Sequence, residues 1–269
     1  MPELPEVETT VRGIAPYLEG QSFDFVRVYN SSLRWPIPSD LSELLTGARC
    51  KKIYRRAKYI CIETSVRPFL AHLGMSGSFR LVNSLTPLKP HDHVSFGVGS
   101  WELRYHDPRR FGCLLWSDSD RANQLLCALG PEPLSDEFDG SWLYRQSRKR
   151  SVSVKHFLMT NSVVVGVGNI YASESLFLAG ILPARSANRI SLARYEILAK
   201  EIKSVLMSSI EAGGTTLRDF VSGKDEPGYF QQALNVYGRA GLSCFHCERV
   251  IKSRVIGGRN SFYCPSCQR

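Results

Sequence analysis

Four cysteines near one end of the chain have the spacing of a metal site. The pattern Cys244-x2-Cys247-x16-Cys264-x2-Cys267 lets each C-x-x-C pair present two sulfurs to one ion. The loop between the pairs returns the chain as a hairpin. Four thiolates suit Zn2+, and one structural zinc is expected. A tail of roughly 30 residues cannot bury enough apolar surface to fold alone. Zinc binding of about 10–16 kcal/mol would supply the missing stability. Disulfides are the competing reading, disfavoured where thiols stay reduced. His246 lies between two of the ligands and could compete for the metal, but the four-sulfur set is already complete. Cys50, Cys61, Cys113 and Cys127 show no ligand spacing and are expected as small core residues.

The other end offers a nucleophile. Initiator methionine is usually removed before a residue as small as proline, which would expose the amine of Pro2. A free α-amino group titrates near ~8, against ~10.4 for a lysine, so much of it is unprotonated at neutral pH. Proline adds a further property: a secondary amine forms an iminium that is cationic without an added proton. That cation is an electron sink for elimination at neighbouring carbons. Glu3 follows at once, placed to shuttle protons as a general acid/base. Many chains begin Met-Pro and make no use of it, so this pair needs support from elsewhere.

Part of that support is electrostatic. The chain of 269 residues carries 34 Lys and Arg against 25 Asp and Glu, a net charge of +9. Excess positive charge suits a polyanionic partner, because each cation on a phosphate releases condensed counterions. Six Arg or Lys fall between Arg239 and Arg269 against one acid, Glu248, and a second cluster runs Arg145-Gln-Ser-Arg-Lys-Arg150. A solvated face is the plain alternative for either run. Within the zinc loop, Gly257-Gly258-Arg259 combines a backbone that can approach a partner closely with a guanidinium fork for phosphate. No stretch approaches the ~18 apolar residues that span a bilayer, and the acidic start MPELPEVE lacks the apolar core of a signal peptide. A cytosolic protein without membrane association is expected.

The elements that must hold these groups are legible in outline. Pro5 suits the first position of a helix, Glu6 and Glu8 favour its positive end, and Val7, Val11 and Ile14 form one apolar stripe. From about Phe23 to Trp116 the texture turns to short strands, including 22–28, 59–62, 93–96 and 113–116, separated by Gly, Pro, Asn and Ser. That is the spacing of a β-sandwich or barrel. Leu129 to Asp136, with two prolines and a glycine, reads as an interdomain linker. Beyond it Tyr195, Leu198, Ile202 and Val205 recur at helical spacing, and Gly213-Gly214 ends that helix.

Motifs along the whole chain resemble the formamidopyrimidine-DNA glycosylases. The start Met1-Pro-Glu-Leu-Pro-Glu-Val-Glu-Thr9 and the tail Tyr263-Cys-Pro-Ser-Cys-Gln268 match that family. Between them come Arg55-Arg-Ala-Lys-Tyr59, His72-Leu-Gly-Met-Ser-Gly77, His91-Asp-His-Val94 and Asp107-Pro-Arg-Arg-Phe-Gly112. Gly166-Val-Gly-Asn-Ile-Tyr-Ala-Ser-Glu174, Gly213 to Phe220 and Val236-Tyr-Gly-Arg239 complete the set, in the family's order. The resemblance implies an α+β multidomain fold. An N-terminal β-sandwich with a flanking helix would occupy 2–128, joined by a linker at 129–136. A helix–two-turns–helix DNA-binding domain would follow over 137–235, and a zinc-finger β-hairpin over 236–269.

The resemblance also implies base-excision repair of oxidised purines in duplex DNA, by a glycosylase that is also an abasic-site lyase. Pro2 would attack C1′ of the damaged nucleoside while Glu3 donates a proton. The iminium would then permit β- and δ-elimination, leaving a one-nucleotide gap. Lys58 matches a lysine of the elimination steps, Arg259 the zinc-loop arginine of the second elimination, and Glu6 a carboxylate near the nucleophile. Met75, Arg109 and Phe111 match the residues that fill the hole left by an extruded base. His91, Arg150 and Asn169 match DNA contacts, with Lys155, His72 and Tyr171 as lesser ones. Position 150 is often lysine in relatives, so charge rather than geometry carries over there. The segment Asp219 to Phe230 resembles a loop that caps an extruded oxidised purine. A monomer acting on damaged double-stranded DNA is implied, in the cytoplasm and nucleoid of a bacterium. The neighbouring reading is an endonuclease VIII-like enzyme preferring oxidised pyrimidines, against which Leu4 and the capping segment speak. A DNA-binding zinc protein without catalysis would leave Pro2, Glu3, Lys58 and Arg259 unexplained, and a zinc-ribbon scaffold would leave the helix-turn glycines and the filler set so.

Overall fold

The computed structural model describes residues 2–213 and 234–269. These form two compact units, one of 2–127 with 212–213 and one of 128–211 with 234–269. The Gly214 and Asp219–Phe230 expectations lie outside the described residues.

In the first unit, helix α1 (Leu4–Leu18) buries Leu4, Val7, Val11, Ile14 and Leu18, the stripe its sequence spells out. Its start lies one residue earlier than Pro5 alone suggests, because Glu3 is the N-cap and Pro5 stands second. The Glu3 carboxylate accepts the Glu6 N–H while the Glu6 carboxylate accepts the Glu3 N–H. This reciprocal pair satisfies two of the donors a helix start leaves open.

Eight strands then build two four-stranded antiparallel sheets. They are β1 (Phe25–Val28), β2 (Cys50–Arg56), β3 (Tyr59–Thr64), β4 (Phe69–His72), β5 (Ser78–Asn83), β6 (Asp92–Val98), β7 (Trp101–His106) and β8 (Cys113–Trp116). One sheet runs β1-β6-β7-β5 and the other β2-β3-β4-β8. Their inward side chains share one core with α1 and the short α2 (Leu41–Leu45). The Phe69 ring of β4 stacks on Phe96 of β6 at 5.7 Å, one sheet against the other. The expected first strand is shorter than its apolar texture: Ser22 makes only an isolated bridge to Arg49, and pairing starts at Phe25. Helix α3 (Asp120–Cys127) closes this unit. Cys50, Cys61 and Cys113 are buried as expected, whereas Cys127 is exposed at the end of α3, whose one fully buried residue is Ala122.

The second unit is helical with a terminal hairpin. Residues 128–139 contain no helix or strand. Helices α4 (Gly140–Ser147), α5 (Val154–Leu158), α6 (Asn169–Leu178) and α7 (Leu192–Glu211) follow. A Cβ on Gly140 would meet the Glu196 backbone at 2.4 Å, so glycine is what lets α4 lie against α7. Strands β9 (Lys252–Ile256) and β10 (Arg259–Tyr263) pair through a two-residue turn, Gly257-Gly258. Both glycines have positive φ, +57° and +73°, the conformation that tight antiparallel turns require. The cysteine knuckles share a small core with Phe177 of α6, Val236 and Ile251. The tail thus gains its apolar cover from the helices. No helix among the described residues is long and apolar enough to cross a membrane.

Candidate active site, DNA-contact groups and metal centre

The N-terminal groups are positioned by α1. Pro2 and Glu3 are buried at its start, with Glu6 fully buried one turn on. The positive end of the helix dipole faces this point. Lys58 sits beside Ala57 in the two-residue turn between β2 and β3, half-buried. Arg55 binds this hairpin to the helix: its Nε donates to Glu8 at 2.9 Å and its Nη1 to the Ala57 carbonyl at 3.1 Å. His72, at the end of β4, accepts the Gly74 N–H on Nδ1 at 2.9 Å. Burial, followed by the neighbouring Lys58 and Arg34 cations, pushes its pKa down to about 4. It is therefore a neutral ring near Lys58.

The three expected filler residues come from two loops of this same unit. Met75 is 38% exposed and Phe111 45%, which leaves both available to a partner. The Arg109 guanidinium lies over the Phe111 ring at 4.8 Å. Beneath them the loops touch backbone to backbone, and a Cβ on Gly74 would meet Gly112 N at 2.5 Å. His91 is exposed, in a left-handed conformation at φ 72°, and its carbonyl accepts the Asp107 N–H at 3.1 Å.

In the second unit, Asn169 opens α6 and Arg259 is exposed where β10 begins. Lys155 is only 1% exposed. Its Nζ donates to Asn169 Oδ1 at 2.6 Å, Ser261 Oγ at 2.7 Å and the Asn260 carbonyl at 3.3 Å. Asn169 Nδ2 donates to that same carbonyl at 3.1 Å. Lys155 and Asn169 thus tie the start of α6 to the hairpin carrying Arg259. Tyr171 is likewise 1% exposed, its hydroxyl 2.5 Å from Ser209 Oγ. Lys155 and Tyr171, both expected as lesser DNA contacts, are instead buried on partners within the unit. Arg150 is half-buried, with its guanidinium 5.8 Å from the Phe157 ring centre.

The four cysteines converge. Their sulfurs all lie within 4.8 Å of one another, with Cys247–Cys264 at 3.4 Å and Cys244–Cys267 at 3.9 Å. Tetrahedral ligation at ~2.3 Å would set sulfurs ~3.8 Å apart, so the set fits a four-thiolate zinc. Backbone N–H groups of His246 and Cys267 already point at Cys244 and Cys264 sulfur, at 3.4 and 3.5 Å. His246 is not a fifth ligand: its ring packs on Phe177 at 4.8 Å.

Comparison with known proteins agrees across the chain. Family models match at residues 1–114 (formamidopyrimidine-DNA glycosylase N-terminal domain), 129–221 (the H2TH domain of the same glycosylases) and 241–269 (zinc finger found in FPG and IleRS). The formamidopyrimidine-DNA glycosylases of Pseudomonas aeruginosa and Marinobacter nauticus are 57% and 53% identical, each over the full length of both chains. The chain belongs to the formamidopyrimidine-DNA glycosylase family. A Lactococcus lactis family member crystallised with Fapy-dG-containing DNA superposes with a TM-score of 0.91 at 32% identity, covering 100% of both chains. The Thermus thermophilus enzyme gives 0.88 at 36%, covering 99% of this chain and 98% of that one.

Two residues emerge that the motifs contain but their chemistry did not single out. Glu174, 2% exposed in α6, accepts the backbone N–H groups of Asn235, Val236 and Tyr237 and the Asn235 side-chain amide, at 2.7–3.1 Å. It is the only charged residue in the helix NIYASESLFL, and that isolation was the available signal. The second, Asp107, binds the filler loops and is an acid inside an otherwise basic motif.

Proposed function

We propose that the protein excises oxidised purines, 8-oxoguanine and formamidopyrimidines, from duplex DNA and cleaves the resulting abasic site by β,δ-elimination. The observation that carries this is Pro2 at the positive end of α1 with Glu3 locked beside it, in a chain of this family. Once Met1 is removed, the Pro2 nitrogen donates its lone pair to C1′ and the glycosidic bond breaks toward the base. The proton lost by the amine and the one carried by Glu3 go to the departing base and the opened ring oxygen. The iminium left on Pro2 makes the C2′ proton acidic, and its loss expels the 3′ phosphate. A second elimination expels the 5′ phosphate, and hydrolysis frees the amine.

Lys58 and Arg259 are assigned to proton transfer and phosphate binding in those eliminations. Glu6, which caps Glu3, is assigned to setting the orientation of that residue. Met75, Arg109 and Phe111 fill the vacated space, and His91, Arg150 and the N-terminus of α6 at Asn169 bind backbone phosphates. His72 offers a neutral donor near Lys58. Lys155 and Tyr171 support the contact surface from inside. Zinc, when bound by Cys244, Cys247, Cys264 and Cys267, supplies the cross-link that holds the hairpin. The domain limits 2–128, 137–235 and 236–269, monomeric action and a location on the bacterial nucleoid belong to the same reading.

The test is a duplex with one 8-oxoguanine opposite cytosine beside a matched duplex with an oxidised pyrimidine. The expected product is a one-nucleotide gap with phosphate at both ends, formed faster from the purine lesion. A preference for the pyrimidine lesion would favour the endonuclease VIII-like reading, and binding without cleavage would remove the enzyme.

A further inference from the structure

A single buried carboxylate touches both loops that carry the filler residues. Asp107 is 0% exposed. Its Oδ1 accepts the Ser76 hydroxyl at 2.8 Å and the Arg109 N–H at 3.3 Å, and its Oδ2 accepts the Gly112 N–H at 2.8 Å. Ser76 follows Met75, Gly112 follows Phe111, and the third donor is the amide of Arg109 itself. Each filler residue is therefore at, or next in sequence to, a residue that Asp107 holds. The Asp107 main chain extends the same network, taking the His93 ring on its carbonyl at 2.8 Å and giving its N–H to the His91 carbonyl at 3.1 Å.

Burying a carboxylate is costly unless donors surround it, and these donors are neutral groups of the two loops. The loops they fix are not relaxed. Arg110 has φ 56°, Gly74 has φ 63°, and the two backbones meet at a distance that no Cβ would allow. Left-handed backbone at a non-glycine residue persists where surrounding contacts over-determine it. Fixing both loops before DNA arrives spares the complex the entropy of ordering them.

We propose that Asp107 is the positioning residue of the base-filling wedge, locking the Met75 loop and the Arg109–Phe111 loop into one preset unit. This rests on the reading of those three residues as fillers, and the test separates the two ideas. The readouts are single-turnover excision of 8-oxoguanine from a duplex, and strand cleavage at a preformed abasic site in single-stranded DNA, where no paired base is extruded. Asp107→Ala should slow excision by roughly 30- to 100-fold, the scale of one lost charge-assisted hydrogen bond, with a much smaller effect on single-strand cleavage. Asp107→Asn should recover part of the loss, since its oxygen still accepts from Gly112 and its amide can donate to Ser76 Oγ, while the Arg109 N–H loses its carboxylate acceptor. Ser76→Ala, which removes one bond without disturbing the carboxylate, should show the same selectivity in weaker form should Asp107→Ala fail to fold. In a Met75→Ala, Arg109→Ala, Phe111→Ala background, adding Asp107→Ala should cost nothing further, because its effect runs through those residues.

An Asp107→Ala effect equal on both substrates and undiminished in the triple-alanine background would make Asp107 a folding residue only. No effect on excision would overturn the proposal outright. If the triple-alanine protein itself excises normally, the filler reading fails first, in an arm that leaves Asp107 intact.

Discussion

His72 accepts the Gly74 N–H on Nδ1, so its remaining proton sits on Nε2 and the ring faces Lys58 as a neutral donor. Its ring signals should stay flat in an NMR titration from pH 8 to 5 and move only near the folded value of about 4. Because that value lies below the ordinary 6.5, the unfolded chain takes up a proton more readily as pH falls. His72 therefore contributes stability that is present above pH 6.5 and lost between there and about 4. Urea midpoints across that window should slope less in His72→Asn, whereas an inflection near 6.5 in the ring titration would contradict the geometry. At this scale the sequence was informative where chemistry depends on residue type and spacing, as for the four cysteines whose sulfurs converge. It was silent on His72 as a neutral ring and on Asp107, because both depend on neighbours distant along the chain.

Among the elements, the zinc hairpin is also held by side chains that lie under it. The Lys155 ammonium binds Asn169, Asn260 and Ser261 inside the second unit. Lys155→Met should leave those oxygens buried without their donor and lower the stability of the protein by about 2–4 kcal/mol. A chelator should also strip the zinc faster, because the hairpin frays from α6. Unchanged stability and zinc retention, with only weaker DNA binding, would instead make Lys155 a phosphate contact. The elements themselves were readable from local pattern: the α1 stripe, the strand texture to Trp116 and the α7 period all reappear. Their limits were less so. The Glu3–Glu6 capping pair starts α1 before Pro5, and strand β1 begins only where Phe25 finds its partner Gly97. Pairing order such as β1-β6-β7-β5 is a long-range property that no local window contains.

For the whole molecule, net charge of +9, a basic zinc hairpin and full-length similarity to glycosylases solved with damaged DNA point one way. The charge was legible as composition, but the assignment needed ordered motifs from end to end, since neither a Met-Pro start nor a zinc hairpin names a reaction. Every proposed catalytic step passes through one bond, between the Pro2 nitrogen and C1′ of the damaged nucleoside. The direct test adds sodium borohydride to methionine-processed, zinc-loaded protein with a duplex bearing 8-oxoguanine opposite cytosine, then maps the trapped peptide. A covalent adduct at residue 2, absent from protein retaining Met1, is the predicted result. A protein that binds this duplex yet yields no adduct, or yields one on Lys58 with Pro2 intact, would rule out Pro2 as the nucleophile.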